Sequence, residues 1–575
     1  MNKVIKNKTL KFSSEDLFLF IILATTISLY ILGSHGMHQS YHQGESINIS
    51  LSAYDLPYDT LRTTMRLFIG MIWSFAFAIV AGVLAAKNKH FERVILPFIN
   101  FMESVPLVGF LTFSTAFFMS IYHGSLMGIE AAAIFGVFTG QAWNMALTLY
   151  QSLKTIPNEL KEAADNFSLN AWQRFIQIEL PFAIPGLLWN TMVSQSAAWF
   201  ALVATEAIPM GSQTLYLPGI GSYIQIALDQ ANYLSIIYAL IALILNIILL
   251  DQFVFRPLVR WSEKFKYERT NRLNHNTSWF YQLSIKSIFF PYILKKIALG
   301  FIVTGFYIKK LGITLKLNIA YSKTKAFIQE ISPFIVFAWY GFLAIILSYC
   351  GYFLWNYLPS FNVAHMSYLM LLTTLRVFAA MILSLIIFVP LGIYIGISPK
   401  RIRLFQPIIQ IMAAVPPNIF YPLIAIFLIA FNQSLSWWAI VLTMMGTQWY
   451  ILFNVIAGVS TMPEDIRDLM RNFSIKGFYA WRKVIIPSIF PFIVTGIISG
   501  AGGAWNADIM AEVVQWGNTT LHTTGLGAFV NIATASDDQT KQAALGCILM
   551  CLLVGLCIVF IWKPLYQLAE KRYRF

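Results

Sequence analysis

The chain has 575 residues, 58% of them hydrophobic and only 11% charged, with a formal net charge of +14 and a mean hydropathy of +0.65. Soluble domains carry roughly 25% charged residues, so the composition excludes that class and predicts an all-α polytopic membrane protein. No ten-residue alternation points to an outer-membrane barrel. The basic excess is local, with 14 Lys or Arg against three acids between Arg256 and Glu330, which argues for orientation in a membrane rather than a nucleic-acid partner.

Apolar runs predict spans near 16–33, 64–86, 94–119, 128–152, 186–208 and 234–255. The first is long enough to cross a membrane and lacks a small-residue cleavage pattern, so it reads as a span rather than a leader. Residues 261–332 form a basic linker whose apolar piece "IALGFIVTGFYI" (297–308) is only twelve residues long. That is short for a span, so the linker is read as cytoplasmic helices on the inner leaflet with lysines at the headgroups; a hairpin of two further spans is the alternative. A second set of runs follows near 333–357, 371–397, 404–430, 436–459, 492–512 and 542–562, giving about twelve transmembrane helices. Lys and Arg gather in the start, in "KNKHFER" (87–93), in the linker and in the tail, whereas the loops at 34–59, 120–127, 209–233 and 358–367 have none. The expected topology therefore has both termini in the cytoplasm. The four cysteines fall inside apolar runs and read as small buried hydrophobes, not as a disulfide framework.

The two sets are repeats. "TTMR" (63–66) answers "TTLR" (373–376), Gly82 answers Gly392 and "VP" at 105–106 answers "VP" at 415–416, all at an offset of 310. Beyond them the offset is 306, pairing Trp143 with Trp449, Trp199 with Trp505, Glu206 with Glu512 and "GIG" (219–221) with "GLG" (525–527). Six spans per half put the copies in one orientation, around an axis along the membrane normal and with a pathway between them. The segmentation is 1–59 (span and loop), 60–260 (first repeat), 261–332 (linker), 333–367 (first span of the second half) and 368–570 (second repeat).

Two polar segments interrupt the spans, "KEAADNFSLNAWQRFIQIELPFAIP" (161–185) and "RDLMRNFSIKGFYAWRKVIIPSIFP" (467–491). Pro157 and Pro463 precede acidic residues, as at a helix start. Each copy then predicts a short amphipathic helix, a turn at Ser168 or Ser474, a second helix and a proline leading back to the membrane. Ala163, Ala164 and Phe167 in one copy, and Leu469, Met470 and Phe473 in the other, form a projecting knob suited to a groove on a soluble partner. A plain solvated connection is the simpler reading of one such loop; two copies in matched places argue against it.

"EAADNFS…IELP" resembles the coupling loop of ABC-importer permeases. "AWQRFIQIELPFAIPG" and "AWNADIMAEVV…GLG" are similar to permeases for nitrate, taurine and alkanesulfonates. The resemblance covers roughly 60–260 and 368–570 and implies a fused tandem permease: two parallel six-helix repeats of the type I ABC importer permease fold. It implies ATPase coupling at Glu162, Ala163, Ala164, Phe167, Ser168 and Pro181, and at Asp468, Leu469, Met470, Phe473, Ser474 and Pro487. It also implies two ABC ATPase subunits holding ATP and magnesium, a periplasmic solute-binding protein, a small anion as solute, and a bacterial inner membrane. The chain departs from the family where the turn glycine is Ser168 and Ser474, and where Asp468-Leu469-Met470 replaces Glu-Ala-Ala.

No G-x-x-x-x-G-K-[ST] occurs, so the chain is not itself the ATPase, and no enzyme or resident cofactor is expected. Ionisable groups in spans are costly and functional. Glu206 and Glu512 end matched spans, with Asp508 one turn before Glu512; they line the pathway or bind a neighbouring helix or loop. Arg66 and Arg376 draw anions inward or snorkel to headgroups. Trp199 and Trp505 face the cavity or pack. His35, His38 and His42 have the spacing of a weak metal site, but with no acid or cysteine nearby a polar loop is preferred. An ion-gradient-driven secondary transporter of twelve spans is the rival reading.

Overall fold

The computed structural model describes residues 49–265 except 170, 211 and 212; residues 313–572 except 358–362, 463, 476 and 537–539; and scattered positions between 28 and 41. His35, His38, His42, Pro463, the apolar piece 297–308 and most of the run at 16–33 lie outside the described residues. Of the linker, 313–332 belongs to a 45-residue helix, Ile313–Tyr357, that continues into the next predicted span.

Among the described residues six helices are long and apolar enough to cross a membrane, or eight if each of two bent pairs is one span. Leu56–Lys87 packs on Met127–Lys154, and this in turn on Leu180–Thr205. The second half repeats the order with Val363–Gly396, the pair Leu435–Met445 and Gln448–Ser460, and Ile486–Ala511. Large apolar side chains such as Leu347, Phe560 and Trp355 are exposed along these helices, as expected of surfaces that meet lipid.

Two predicted spans are broken rather than continuous. The run at 94–119 is Lys89–Ser104 followed by Leu107–Ile121, and that at 404–430 is Pro399–Ala414 followed by a short turn and Tyr421–Ala430, bent by 76°. The break falls at each Val-Pro pair. Val105 and Val415 are extended, with ψ of 125° and 120°, because a following proline ring disfavours the helical region and lacks an N–H to continue the ladder. The span at 436–459 also bends, by 40° at Gly446–Thr447, where its first-half counterpart Met127–Lys154 is unbroken.

After Leu180–Thr205 and after Ile486–Ala511 the chain forms a small antiparallel hairpin, Ala207–Met210 with Gln213–Tyr216 and Val513–Trp516 with Thr519–His522. No alternating pattern in the chain pointed to these strands. "GIG" and "GLG" stand at the starts of the helices Ile220–Asp229 and Leu526–Thr534. The halves interlock rather than form separate cores: Val415 and Ile419 enter the first-half core around Trp199, and Trp189 and Val193 pack with Ile395 and Leu452.

Candidate functional site

The two polar segments at 157–185 and 463–491 adopt the same conformation where they are described. Asn158–Asn166 and Glu464–Asn472 are nine-residue helices. Each ends on a serine in the left-handed region, Ser168 at φ 49° and Ser474 at φ 47°. The reversal is closed by Leu169 N–H donating to Ala164 O (3.0 Å) and Ile475 N–H to Met470 O (2.9 Å). A β-carbon makes this region costly by roughly 1–2 kcal/mol, which is why glycine suits it and serine is a departure. A helical turn, a π-helical turn (Phe175–Glu179 or Trp481–Ile485) and then Pro181 or Pro487 in the first turn of the long helix follow. Proline is tolerated there because the first-turn N–H groups have no intrahelical partner.

Phe167 and Phe473 are 78% and 74% exposed, and Leu469 is also exposed. Glu162 and Asp468 face solvent beside them. Ala164 is 1% exposed and its counterpart Met470 packs against the apolar cluster around Ile485 and Ile489, so these two seat the knob instead of projecting from it. The first segment is braced by Lys87 to Glu179 at 2.8 Å and Arg174 to Asp165 at 3.1 Å. In the second, Arg467 donates to the carbonyls of Val459 (2.7 Å) and Ser460 (3.1 Å), capping the end of the preceding helix.

At the opposite end of Leu56–Lys87 lies a buried clasp. Arg66 donates to Glu130 through Nε (2.6 Å) and Nη2 (2.8 Å), and to Glu206 through Nη1 (2.7 Å). Arg62 donates to Glu130 (2.5 Å) and to the Tyr58 hydroxyl (3.0 Å). Glu206 Oε2 accepts from Gly221 N–H (2.6 Å), and the Thr63 hydroxyl bridges Glu206 (2.8 Å) and Ile220 N–H (3.0 Å). The carboxylate thus ties the hairpin and the following helix start to the long helix. Glycine is required by proximity: a β-carbon at Gly219 would stand 2.4 Å from the Glu206 carboxyl carbon, and one at Gly525 2.0 Å from Glu512 Oε1.

The second clasp keeps this plan. Glu512 Oε2 accepts from Ala528 N–H (2.6 Å), while Thr373 bridges Glu512 (2.7 Å) and Leu526 N–H (2.8 Å). Arg376 donates to Glu512 and, at 3.0 Å, to Thr524 O. Asp508 accepts from Thr443 (2.8 Å) and lies 3.8 Å from Arg376. Arg66 and Arg376 are therefore buried against carboxylates rather than reaching outward. Trp199 and Trp505 are buried in the apolar cores of their halves.

A cavity of about 690 Å³ of empty space, its mouth included, lies between the halves. Its lining takes Glu103, Trp143 and Asn144 from the first half and Tyr450, Ser499 and Asn506 from the second. Trp199, Trp505, Glu206, Asp508, Glu512, Arg66 and Arg376 are not among its lining residues, although Trp199 lines a smaller cavity where Gln195 and Asp251 of the first half meet Gln410 and Ile411 of the second. Asn506 crosses to the first half, where its Oδ1 accepts from Leu107 N–H at 2.7 Å and caps the helix that restarts after Pro106. Sequence reading passed over Arg62, Glu103, Glu130 and Asn506. The available signals were Arg62 one turn before Arg66, and lone acids inside otherwise apolar spans.

The family model described as "Binding-protein-dependent transport system inner membrane component" matches twice, over residues 78–254 and 388–575. The chain belongs to this family. It is a multi-pass membrane permease carrying two copies of the domain. Among similar proteins, the nitrate import permease protein NrtB of Leptolyngbya laminosa is 30% identical over 166 residues, covering 29% of this chain and 56% of that protein. The bicarbonate transport system permease protein CmpB of a Synechocystis species is 33% identical over 151 residues, 26% of this chain and 50% of that protein. An ABC transporter permease of Methanocaldococcus jannaschii is 26% identical over 208 residues, 33% of this chain and 72% of that protein. The chain thus spans about half the length of the first two relatives.

Proposed function

We propose that this permease is the membrane channel of an ATP-driven importer for a small anion, with both halves, 60–260 and 368–570, carried in one chain. The observation that supports this best is the pair of coupling segments, identical in backbone course down to the left-handed serine, each with an exposed phenylalanine. Two ABC ATPase subunits, holding ATP and magnesium, dock on these knobs in the cytoplasm, where both termini lie; this chain binds no cofactor of its own. A periplasmic solute-binding protein delivers solute to the far face of the bacterial inner membrane, and closure of the ATPases switches the cavity from inward- to outward-facing.

In this reading the clasps of Arg66 with Glu206 and Arg376 with Glu512 are structural braces at the outer ends. A nitrate- or bicarbonate-class anion is the solute favoured by the likeness to NrtB and CmpB, and taurine and other sulfonates belong to the same chemical group. The test is affinity purification from native membranes. The expected result is a P-loop ATPase that co-purifies with the chain and is lost in the double variant Phe167→Asp, Phe473→Asp, with the chain still folded. A preparation without an ATPase, active in uptake driven by an ion gradient alone, overturns the reading. Glu162→Lys with Ala163→Asp is expected to abolish transport without unfolding the protein.

A further inference from the structure

The two halves also meet at the end that carries the clasps. There the second hairpin turns through two residues, Gly517 and Asn518, between the paired Trp516 and Thr519. Gly517 has φ 55°, a left-handed backbone that glycine adopts freely at such a turn. Its N–H donates to Leu228 O in the other half at 2.8 Å. Leu228 stands in the last turn of Ile220–Asp229, where carbonyls lack intrahelical donors. A carbonyl can accept twice, and Ala231 N–H takes the other place on Leu228 O at 3.0 Å. The Trp516 ring lies 5.2 Å from that of Tyr233, tilted by 31°. It packs against both the first-half core around Trp199 and the second-half core around Tyr421 and Val514. The fit is close, since a β-carbon at Gly517 would stand 3.2 Å from Ala231 Cβ.

The base of this hairpin is held differently from its tip. Thr523 N–H donates to Glu512 O at 2.9 Å, and Glu512 is fixed in its clasp by Thr373, Arg376 and Ala528, all residues of the second half. The hairpin therefore moves as part of the second half, while its tip grips the first. A rigid-body separation of the halves at this end must break the Gly517 hydrogen bond and part the Trp516 and Tyr233 rings. One hydrogen bond and one ring pair make a slight contact beside the ion pairs of the clasps, as suits a junction made and broken in each cycle. Resting on the permease reading above, we propose that Trp516 and Gly517 form a latch between the halves. It is closed in this structure, holds the pathway shut at the end away from the polar segments, and is released when nucleotide-driven closure of the ATPases turns the pathway outward.

The test uses the whole complex, chain plus co-purified ATPases, in proteoliposomes. The four native cysteines are replaced by alanine, and a pair is introduced by Tyr233→Cys with Trp516→Cys. A short, reducible thiol cross-linker is the probe, and mass spectrometry reads the linked peptides. Linking is expected in the nucleotide-free complex, falling at least fivefold when the ATPases are trapped with ATP and vanadate. The linked complex should lose ATP hydrolysis at least tenfold and recover it on reduction. Trp516→Ala provides a second reading if the cysteine pair assembles poorly on gel filtration: with the latch weakened, ATP hydrolysis without the solute-binding protein is expected to rise at least threefold. Equal linking in the two states, full hydrolysis by the linked complex, or unchanged hydrolysis in Trp516→Ala overturns the latch and leaves the ATP-driven permease standing. A complex that carries no ATPase overturns the permease reading itself, and the release of the latch with it.

Discussion

The two clasps were built from one plan and have diverged in charge. Both keep a glutamate at the end of the long helix, a threonine bridge, an arginine and glycines at van der Waals range of the carboxylate. Around that plan the first half sets Arg62 and Arg66 against Glu130 and Glu206, whereas the second sets Arg376 alone against Asp508 and Glu512. Arg62 and Glu130 are replaced by Leu372 and Ser436, and Asp508 has taken the place of Leu202. What is kept pins the hairpin; what varies is how the buried charge is balanced. A buried ion pair adds little net stability, but losing one partner is expensive because the other is left uncompensated. The halves should therefore respond differently to the same substitution.

The largest effect is expected for Arg376→Met, which leaves two buried carboxylates with no cation and should cost about 3–5 kcal/mol. Arg66→Met should cost less, since Arg62 still serves Glu130. Thermal unfolding of the purified chain measures both, and equal losses would show the clasps to be equivalent. Next come the acids. Glu130→Gln removes the partner of two arginines and should cost about 2–4 kcal/mol, whereas Asp508→Asn keeps the bond from Thr443 and removes the surplus charge, so it should be neutral or stabilising. A loss at Asp508 as large as that at Glu130 would mean the second clasp needs both of its acids.

Gly221→Ala and Gly527→Ala test the part that did not diverge. Their β-carbons would stand 2.5 Å from Val203 O and 2.7 Å from Ile509 Cα, each also 2.9 Å from a clasp carboxylate oxygen. Each should cost about 1–3 kcal/mol and speed hydrogen exchange in its own hairpin, to a similar degree in the two halves. Ser168→Gly and Ser474→Gly should each stabilise by up to about 1 kcal/mol through relief of the left-handed backbone; a loss would mean that the serine hydroxyl has a role of its own.

The smallest effect concerns pH. Partial burial opposes ionisation of Glu92, but hydrogen bonds from Lys154 and Tyr150 outweigh it and hold the carboxyl below its ordinary value. A folded value below the unfolded one means the contribution is present above the ordinary carboxyl range, near pH 4.3, and is lost as pH falls through the lowered folded value. The counterpart in the second half is Ile402. Acidification should therefore loosen the contact between Lys89–Ser104 and the end of Met127–Lys154 without a matching change at Ile402. Hydrogen exchange across that range reads the difference, and Glu92→Gln should abolish it.

A further contrast lies at the cavity. Where the first half restarts its broken span with Leu107, whose N–H needs an acceptor, the second half supplies Asn506. The corresponding position in the second half is Pro417, with no N–H, and the residue matching Asn506 is Phe200. The donor of the first half is thus met by an acceptor, and both are absent at the matching places of the repeat.

The sequence alone determined the class, the duplication, the register of the repeats and the two matched polar segments. Apolar run length, a fixed offset, and the grouping of proline, serine and aromatic residues are local properties, and a membrane leaves few folds that satisfy the backbone. The Val-Pro pairs are visible too, and the kinks follow from the proline ring at each. Only the tertiary structure decided that Arg66 and Arg376 turn inward, that Ala164 seats a knob instead of forming it, and that Glu103 lies on the larger cavity while Trp505 does not. Each of these turns on what another segment, often more than 60 residues away, places opposite the side chain. A buried charge takes its meaning from its partner, and partners are set by packing between helices, not by spacing along one.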